Sequence, residues 1–181
     1  MIGAALATVV CVVALGLVLD AERQGSRRRR YLWKPLASAG FVLVPVCTGV
    51  LWSDAGPGLD AARWIAVGLV LGAAGDVALM FESDRGFLAG LAAFLLGHVA
   101  YVIGFAQLVP IDAWYGGVMT VAAVAAMVGA GTILGLLWPR LGSMKVPVIA
   151  YVGVITTMLI GGAAMTLRDP AVSASSRGLL I

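Results

Sequence analysis

Three features of this sequence together predict an all-α fold, a polytopic transmembrane helix bundle. Six apolar stretches recur along it, each long enough to cross about 30 Å of hydrocarbon as a helix. Hydrophobic residues make up 61% of the 181 and charged residues only 12%, where a soluble domain carries about 25% charged. The connections are short, and half of the twelve Lys and Arg residues fall between Arg23 and Lys34, as a topology signal does. Helices are also the form lipid demands, because each backbone polar group must find its partner within the segment.

The first stretch, about 2–19, has its positive charges after it rather than before it, so it reads as a retained helix and not as a cleaved signal peptide. The second, about 34–52, opens on Lys34-Pro35-Leu36. The third, about 62–81, carries Gly68, Gly72 and Gly75, a small-residue stripe that lets another helix come close. In the fourth, about 87–109, the residues Phe87, Gly90, Leu91, Phe94, His98, Tyr101 and Phe105 recur at helical spacing and share one face. The fifth and sixth are expected at about 114–138 and 145–167. After a polar loop from Arg168 to Arg177, rich in Ser and broken by Pro170, a seventh span is expected from 177, cut short at Ile181. The whole of 1–181 is read as a single integral membrane domain.

Loops are expected at Asp20–Trp33, Ser53–Ala61, Glu82–Gly86, Pro110–Ala113 and Pro139–Met144. If the first, third and fifth face the cytoplasm, nine cations lie on that side against Arg63, Arg168 and Arg177 on the other. That bias places the N-terminus outside and the protein in a plasma or bacterial inner membrane. Trp52, Trp64, Trp114 and Trp138 stand near span ends, as interfacial anchors do. Cys11 and Cys47 lie in apolar runs and act as small hydrophobes. No Cys/His spacing suits a metal, so neither a metal nor another cofactor is expected. The Arg27–Arg30 run fits retention of its loop in the cytoplasm and contact with anionic lipid head groups, with no call for nucleic acid.

The residue that points to chemistry is Asp76, in the run Val67-Gly-Leu-Val-Leu-Gly-Ala-Ala-Gly-Asp-Val-Ala-Leu-Met80. A carboxylate inside a hydrophobic span costs at least a few kcal/mol to insert, so a partner or a function is expected for it. Counted from the span ends, Asp76, Tyr151 and Lys34 fall in the cytoplasmic half, with His98 and Tyr101 nearer the midplane and Glu82 and Asp84 just outside. These positions predict a polar pocket entered from the cytoplasmic leaflet, in which a carboxyl serves as a general acid or base. The plainer alternatives are that Asp76 only fixes helix packing, that the aromatic stripe is only core, and that Lys34 only snorkels to the interface.

The runs Gly75-Asp76-Val-Ala-Leu and Phe87-x-x-Gly90-Leu91-x-x-Phe94-x-x-x-His98-x-x-Tyr101 resemble the signature of the YhhN-like lysoplasmalogenases, multi-pass membrane hydrolases. Lys34-Pro35-Leu36 and Met144-Lys145-x-Pro147-Val148-x-x-Tyr151 also fit its pattern, so the likeness spans Lys34 to Met158. It implies about eight spans and hydrolysis of the vinyl ether bond of lysoplasmalogens to a fatty aldehyde and a glycerophospho-alcohol. Protonating the vinyl carbon makes an oxocarbenium ion to which water adds, work that two carboxylates divide as in glycoside hydrolysis. Asp76 matches one of the family's acidic positions; the other belongs to a Phe-x-x-Ser-Asp type segment expected after Ile181. Asp76 and His98 are the catalytic candidates, and Lys34, Glu82, Phe94, Tyr101 and Tyr151 the substrate-contact candidates. The substrate is a lysophospholipid drawn from the bilayer.

Two readings from other classes compete. A small proton-coupled transporter would use Asp76 and His98 as a relay, although no inverted repeat of broken helices is visible. A haem-bearing anchor would have to pair His98 with a methionine, since the chain has one histidine.

Overall fold

The computed structural model describes residues 2–52, 55–114 and 118–168. All regular structure among them is helical: α1 (Ile2–Arg23), α2 (Arg27–Thr48), α3 (Pro57–Ala78), α4 (Asp84–Leu108), α5 (Val118–Leu137) and α6 (Lys145–Arg168), with single 3-10 turns at Val50–Trp52, Ile111–Trp114, Trp138–Arg140 and Gly142–Met144. Six helices are long and apolar enough to cross a membrane, and side chains such as Leu6, Val12, Val121 and Leu136 cover their outer faces. The protein is an all-α polytopic helix bundle. The expected seventh span from 177 lies outside the described residues. Two compact units divide the chain at Ala100 and Tyr101, within α4.

In residues 1–100 the first connection is far shorter than the sequence suggests. The expected loop Asp20–Trp33 is helical except for Gln24, Gly25 and Ser26. Gly25, at φ +64°, closes α1. Its N–H bonds the Glu22 carbonyl at 3.1 Å and that of Ser26 the Ala21 carbonyl at 2.9 Å, the paired bonds that satisfy a helix C-terminus. The arginine run then starts α2 directly, because arginine is a good helix former and its charges find acids nearby. Arg30 pairs with Glu82 at 3.2 Å and Glu22 at 3.5 Å, and Arg27 also pairs with Glu82.

Along α1, Ala7, Ala14 and Ala21 are buried at seven-residue spacing. On the facing helix, a Cβ on Gly40 would stand 2.8 Å from the Cβ of Cys11, and one on Gly3 would stand 3.5 Å from that of Cys47. Both cysteines are free. The two contacts fix an antiparallel pair packed through small residues. α2 itself contains Pro35 and Pro45, so two of its backbone hydrogen bonds are missing. It ends at Gly49, φ +79°, whose N–H reaches the Val46 carbonyl.

α3 begins with Pro57 in its first turn, where a missing N–H is harmless. Its return through α4 is started by Ser83, whose hydroxyl accepts the Gly86 N–H at 3.1 Å, a standard N-terminal cap. The glycine stripe does what its spacing predicts, and α4 is the helix it admits. Gly75 receives the Phe94 ring, where a Cβ would be at 2.8 Å; Gly90 lies against Leu79, and Gly97 against the Gly68 carbonyl. Gly68 and Gly75 on one helix, and Gly90 and Gly97 on the other, are each seven apart.

Residues 101–168 pack differently. Trp114 is fully buried, in one cluster with Ala123, Ile160 and Ala164, and Phe105 and Val102 lie against it. Its ring fills the notch at Gly161, where a Cβ would be at 2.6 Å, and its Nε1 donates to the Val109 carbonyl at 2.8 Å. Trp114 is therefore not an interfacial anchor. An indole next to a glycine notch and a reachable carbonyl is better used inside. Trp52, Trp64 and Trp138 are exposed, and Lys145 stands 4.9 Å over the Trp138 ring.

Candidate functional site

Asp76 sits in the last turns of α3, between Gly75 and Val77. Each of its oxygens has a polar partner on α2. Lys34 Nζ forms an ion pair with Oδ1 at 3.7 Å, and Ser38 Oγ donates a hydrogen bond to Oδ2 at 2.8 Å. The two partners are four residues apart, so one helix face presents both. The two charged side chains are 26% and 27% exposed, whereas Ser38 is 2% exposed. A cation within ion-pair reach and a full hydrogen bond together offset the cost of holding the carboxylate in an apolar span.

This site explains the expense of Asp76 and changes the weight of Lys34. It is not snorkelling away from the span but turned onto the carboxylate. Ser38 was not among the candidates. The signal was present in Lys34-x-x-x-Ser38, a cation and a hydroxyl at helical spacing in an apolar span, but serine is common in membrane helices and nothing in one helix alone says which partner it faces.

Phe94 supports the site from α4, its ring lying on Gly75 next to Asp76. His98 is one turn further on. Its Nδ1 lies 2.6 Å from the Phe94 carbonyl, an oxygen that only accepts. Nδ1 must therefore carry the proton, and in the neutral ring Nε2 carries the lone pair. The glycine contacts set Gly97 level with Gly68 to Gly72, so His98 stands about 10 Å along the helix axis from Asp76. Glu82 is drawn away from the carboxylate and into the Arg27 and Arg30 pairs. Those pairs, with the Tyr31 hydroxyl on the Met80 carbonyl at 2.6 Å, fasten the start of α2 to the α3–α4 turn. Tyr101 and Tyr151 belong to the second unit, half-buried on α4 and α6. Among the described residues, no three His, Cys, Asp or Glu side chains converge as metal ligands.

Beside Asp76 runs an open groove of about 890 Å³ between α2 and α3, within the size range of ligand sites. Pro35, Ala39, Val42, Val70, Ala73 and Val77 wall it, and Ser38 is its polar point. Ser38, whose hydroxyl bonds Asp76, thus also lines the groove. The turn into α4 contributes Ser83 and Arg85 at one end. The arrangement can lay an apolar chain along a wall behind which a carboxylate, a lysine and a hydroxyl are held together.

The description "YhhN family" attaches to a family model that matches residues 29–179. Among curated proteins, the Uncharacterized membrane protein YhhN of Escherichia coli O6:H1 is 25% identical over 169 residues, covering 91% of this chain and 74% of that protein. The proteins of the same name from Escherichia coli O157:H7 and Shigella flexneri match to the same extent. No solved structure matches the chain.

Proposed function

The chain belongs to the YhhN family of membrane proteins, and from that premise we propose that it is a membrane-embedded hydrolase that cleaves the vinyl ether bond of lysoplasmalogens. One observation carries the reading: Asp76, inside a span, is held by Lys34 and Ser38 next to an apolar groove. A packing role alone would not require a groove lined by the serine that bonds the carboxylate, and a single-chain lipid ether needs both.

The reaction that the resemblance implies sets the chemistry the site has to carry out. Proton transfer to the vinyl carbon beyond the ether-bearing carbon converts the alkenyl ether to an oxocarbenium ion. Water adds at the cationic carbon and loses a proton, and the resulting hemiacetal collapses to aldehyde and alcohol. Both contacts on Asp76 are ones that a carboxylate accepts, so Asp76 takes the half of this work that suits an anion: it faces the cation and receives the proton of the incoming water. The first proton comes from the second acidic residue that the family resemblance implies. Lys34 and Ser38 keep the carboxylate in one orientation, and His98 remains the second catalytic candidate, further along the bundle. We place the site towards the cytoplasmic leaflet, with the N-terminus outside, on the distribution of Lys and Arg.

The test is release of fatty aldehyde from a lysoplasmalogen by the purified protein. Asp76→Asn keeps the shape and the Ser38 contact but removes the charge, and a loss of about 10²- to 10⁴-fold is expected for a proton-transfer group. Activity retained in that variant overturns the assignment.

A further inference from the structure

α2 meets α3 and the turn after it along a single line of contacts. Arg27 and Arg30 pair with Glu82, the second at 3.2 Å. The Tyr31 hydroxyl donates to the Met80 carbonyl at 2.6 Å, and Lys34 and Ser38 hold Asp76 at 3.7 and 2.8 Å. On α2 these residues recur every three or four positions and so share one face, while their partners run back from Glu82 through Met80 to Asp76. The contacts therefore belong to one antiparallel register of α2 on α3. A slip of one turn moves a residue about 5.4 Å along the axis, enough to carry Lys34 and Ser38 past the carboxylate.

These contacts do not hold the register equally. Glu82 is exposed, and water and salt weaken pairs of that kind. Tyr31 bonds backbone instead. Met80 follows the end of α3 at Ala78, where helical carbonyls run out of N–H partners, and its carbonyl takes its hydrogen bond from Tyr31. On α2, Pro35 cannot donate to the Tyr31 carbonyl one turn back. The helix is thus least held by its own backbone just before Lys34, and a side-chain bond stands where the backbone bond is missing.

We propose that Tyr31 is a positioning residue for Asp76: its hydroxyl, fixed on the Met80 carbonyl, sets the register in which Lys34 and Ser38 reach the carboxylate. Tyr31 is not part of the groove wall and acts on Asp76 only through the placement of α2. The inference rests on the hydrolase reading only in treating Asp76 as a catalytic group; the register stands without it.

The experiment uses the full chain in nanodiscs, with dicyclohexylcarbodiimide as the probe. A carboxylic acid adds across one C=N bond of this apolar reagent, its proton going to nitrogen, and the adduct rearranges to a stable N-acylurea. The mass gained by the peptide that carries Asp76 therefore reports how open that carboxyl is. In the parent, Lys34 and Ser38 occupy both oxygens. Tyr31→Phe keeps the ring and removes only the hydroxyl, and should speed labelling of Asp76 about fivefold, the factor that a typical net hydrogen bond represents. Thr132→Val, which removes a hydroxyl bonded within α5 to the Val128 carbonyl, should leave the rate unchanged, so that general loosening is told apart. In a Ser38→Ala background the effect of Tyr31→Phe should shrink, because one of the contacts it positions is already gone. Labelling of Asp76 at the parent rate in Tyr31→Phe, whatever that rate is, or the same factor with and without Ser38, overturns the proposal. None of these readings needs hydrolysis. Labelling as described without aldehyde release sinks the hydrolase and keeps the role of Tyr31; Asp76-dependent aldehyde release with labelling indifferent to Tyr31 does the reverse.

Discussion

Where α1 meets α2 the contact surfaces are alanine, glycine and cysteine, and where α3 meets α4 glycines receive the Phe94 ring, the Leu79 side chain and a facing carbonyl, so that at both a single added Cβ would collide. Around Trp114, the interior of residues 101–168 is instead one indole ring with aliphatic groups fitted to it. The two kinds of packing do different things. Small residues bring helix backbones close, and the serine and aspartate that reach hydrogen-bond distance lie between α2 and α3, the two helices that these contacts flank. A large aromatic keeps axes apart and holds position by volume. A site that depends on orientation belongs with the first kind.

The difference can be broken most forcefully at the aromatic. Trp114→Ala removes the ring that fills the second interior, and a loss of about 3–5 kcal/mol is expected for such a truncation, read as a lower unfolding midpoint in detergent. Asp76-dependent aldehyde release should survive in that variant at a temperature where it stays folded. A midpoint within experimental error of the parent would show that Trp114 fills no essential space.

The small-residue side is tested at Gly75→Ala, whose added Cβ meets the Phe94 ring at 2.8 Å. Overpacking of this sort costs about 1–3 kcal/mol. Pairing it with Phe94→Leu should recover part of the loss, whereas additive losses would deny the contact. The gentlest change is Glu82→Gln. Its pairs with Arg27 and Arg30 are solvent-exposed, so at most about 1 kcal/mol is expected, shrinking as salt is added. A large, salt-independent loss would mean that the fastening of α2 matters beyond its exposed charges.

Span positions were legible because lipid imposes them: length, apolarity and short connections left little choice for six helices. The boundary that failed is instructive. Arg27–Arg30 reads as a loop because charge is excluded from a span, yet helix propensity and the acids Glu22 and Glu82 carry α2 two turns beyond the apolar stretch. Asp76 was legible as a site because its cost is a property of the residue in its own segment. Its partners were less so, since the Lys34 and Ser38 contacts depend on the rotation of α2 against α3, which no single segment encodes. Glu82 reads as a substrate contact by its place in sequence, whereas the structure shows it paired with Arg27 and Arg30, on a neighbouring helix. Trp114 looked like an anchor by depth alone; the glycine that receives it is 47 positions later.

Pro35 stands between Lys34 and Ser38 and forms part of the groove wall. With no N–H to give the carbonyl one turn back, at Tyr31, it makes that turn of α2 the cheapest place for the helix to bend. Ser38 and the groove wall at Ala39 and Val42 lie on the C-terminal side of that turn, so the hydrogen bond to Asp76 and the shape of the groove depend on the same backbone hinge.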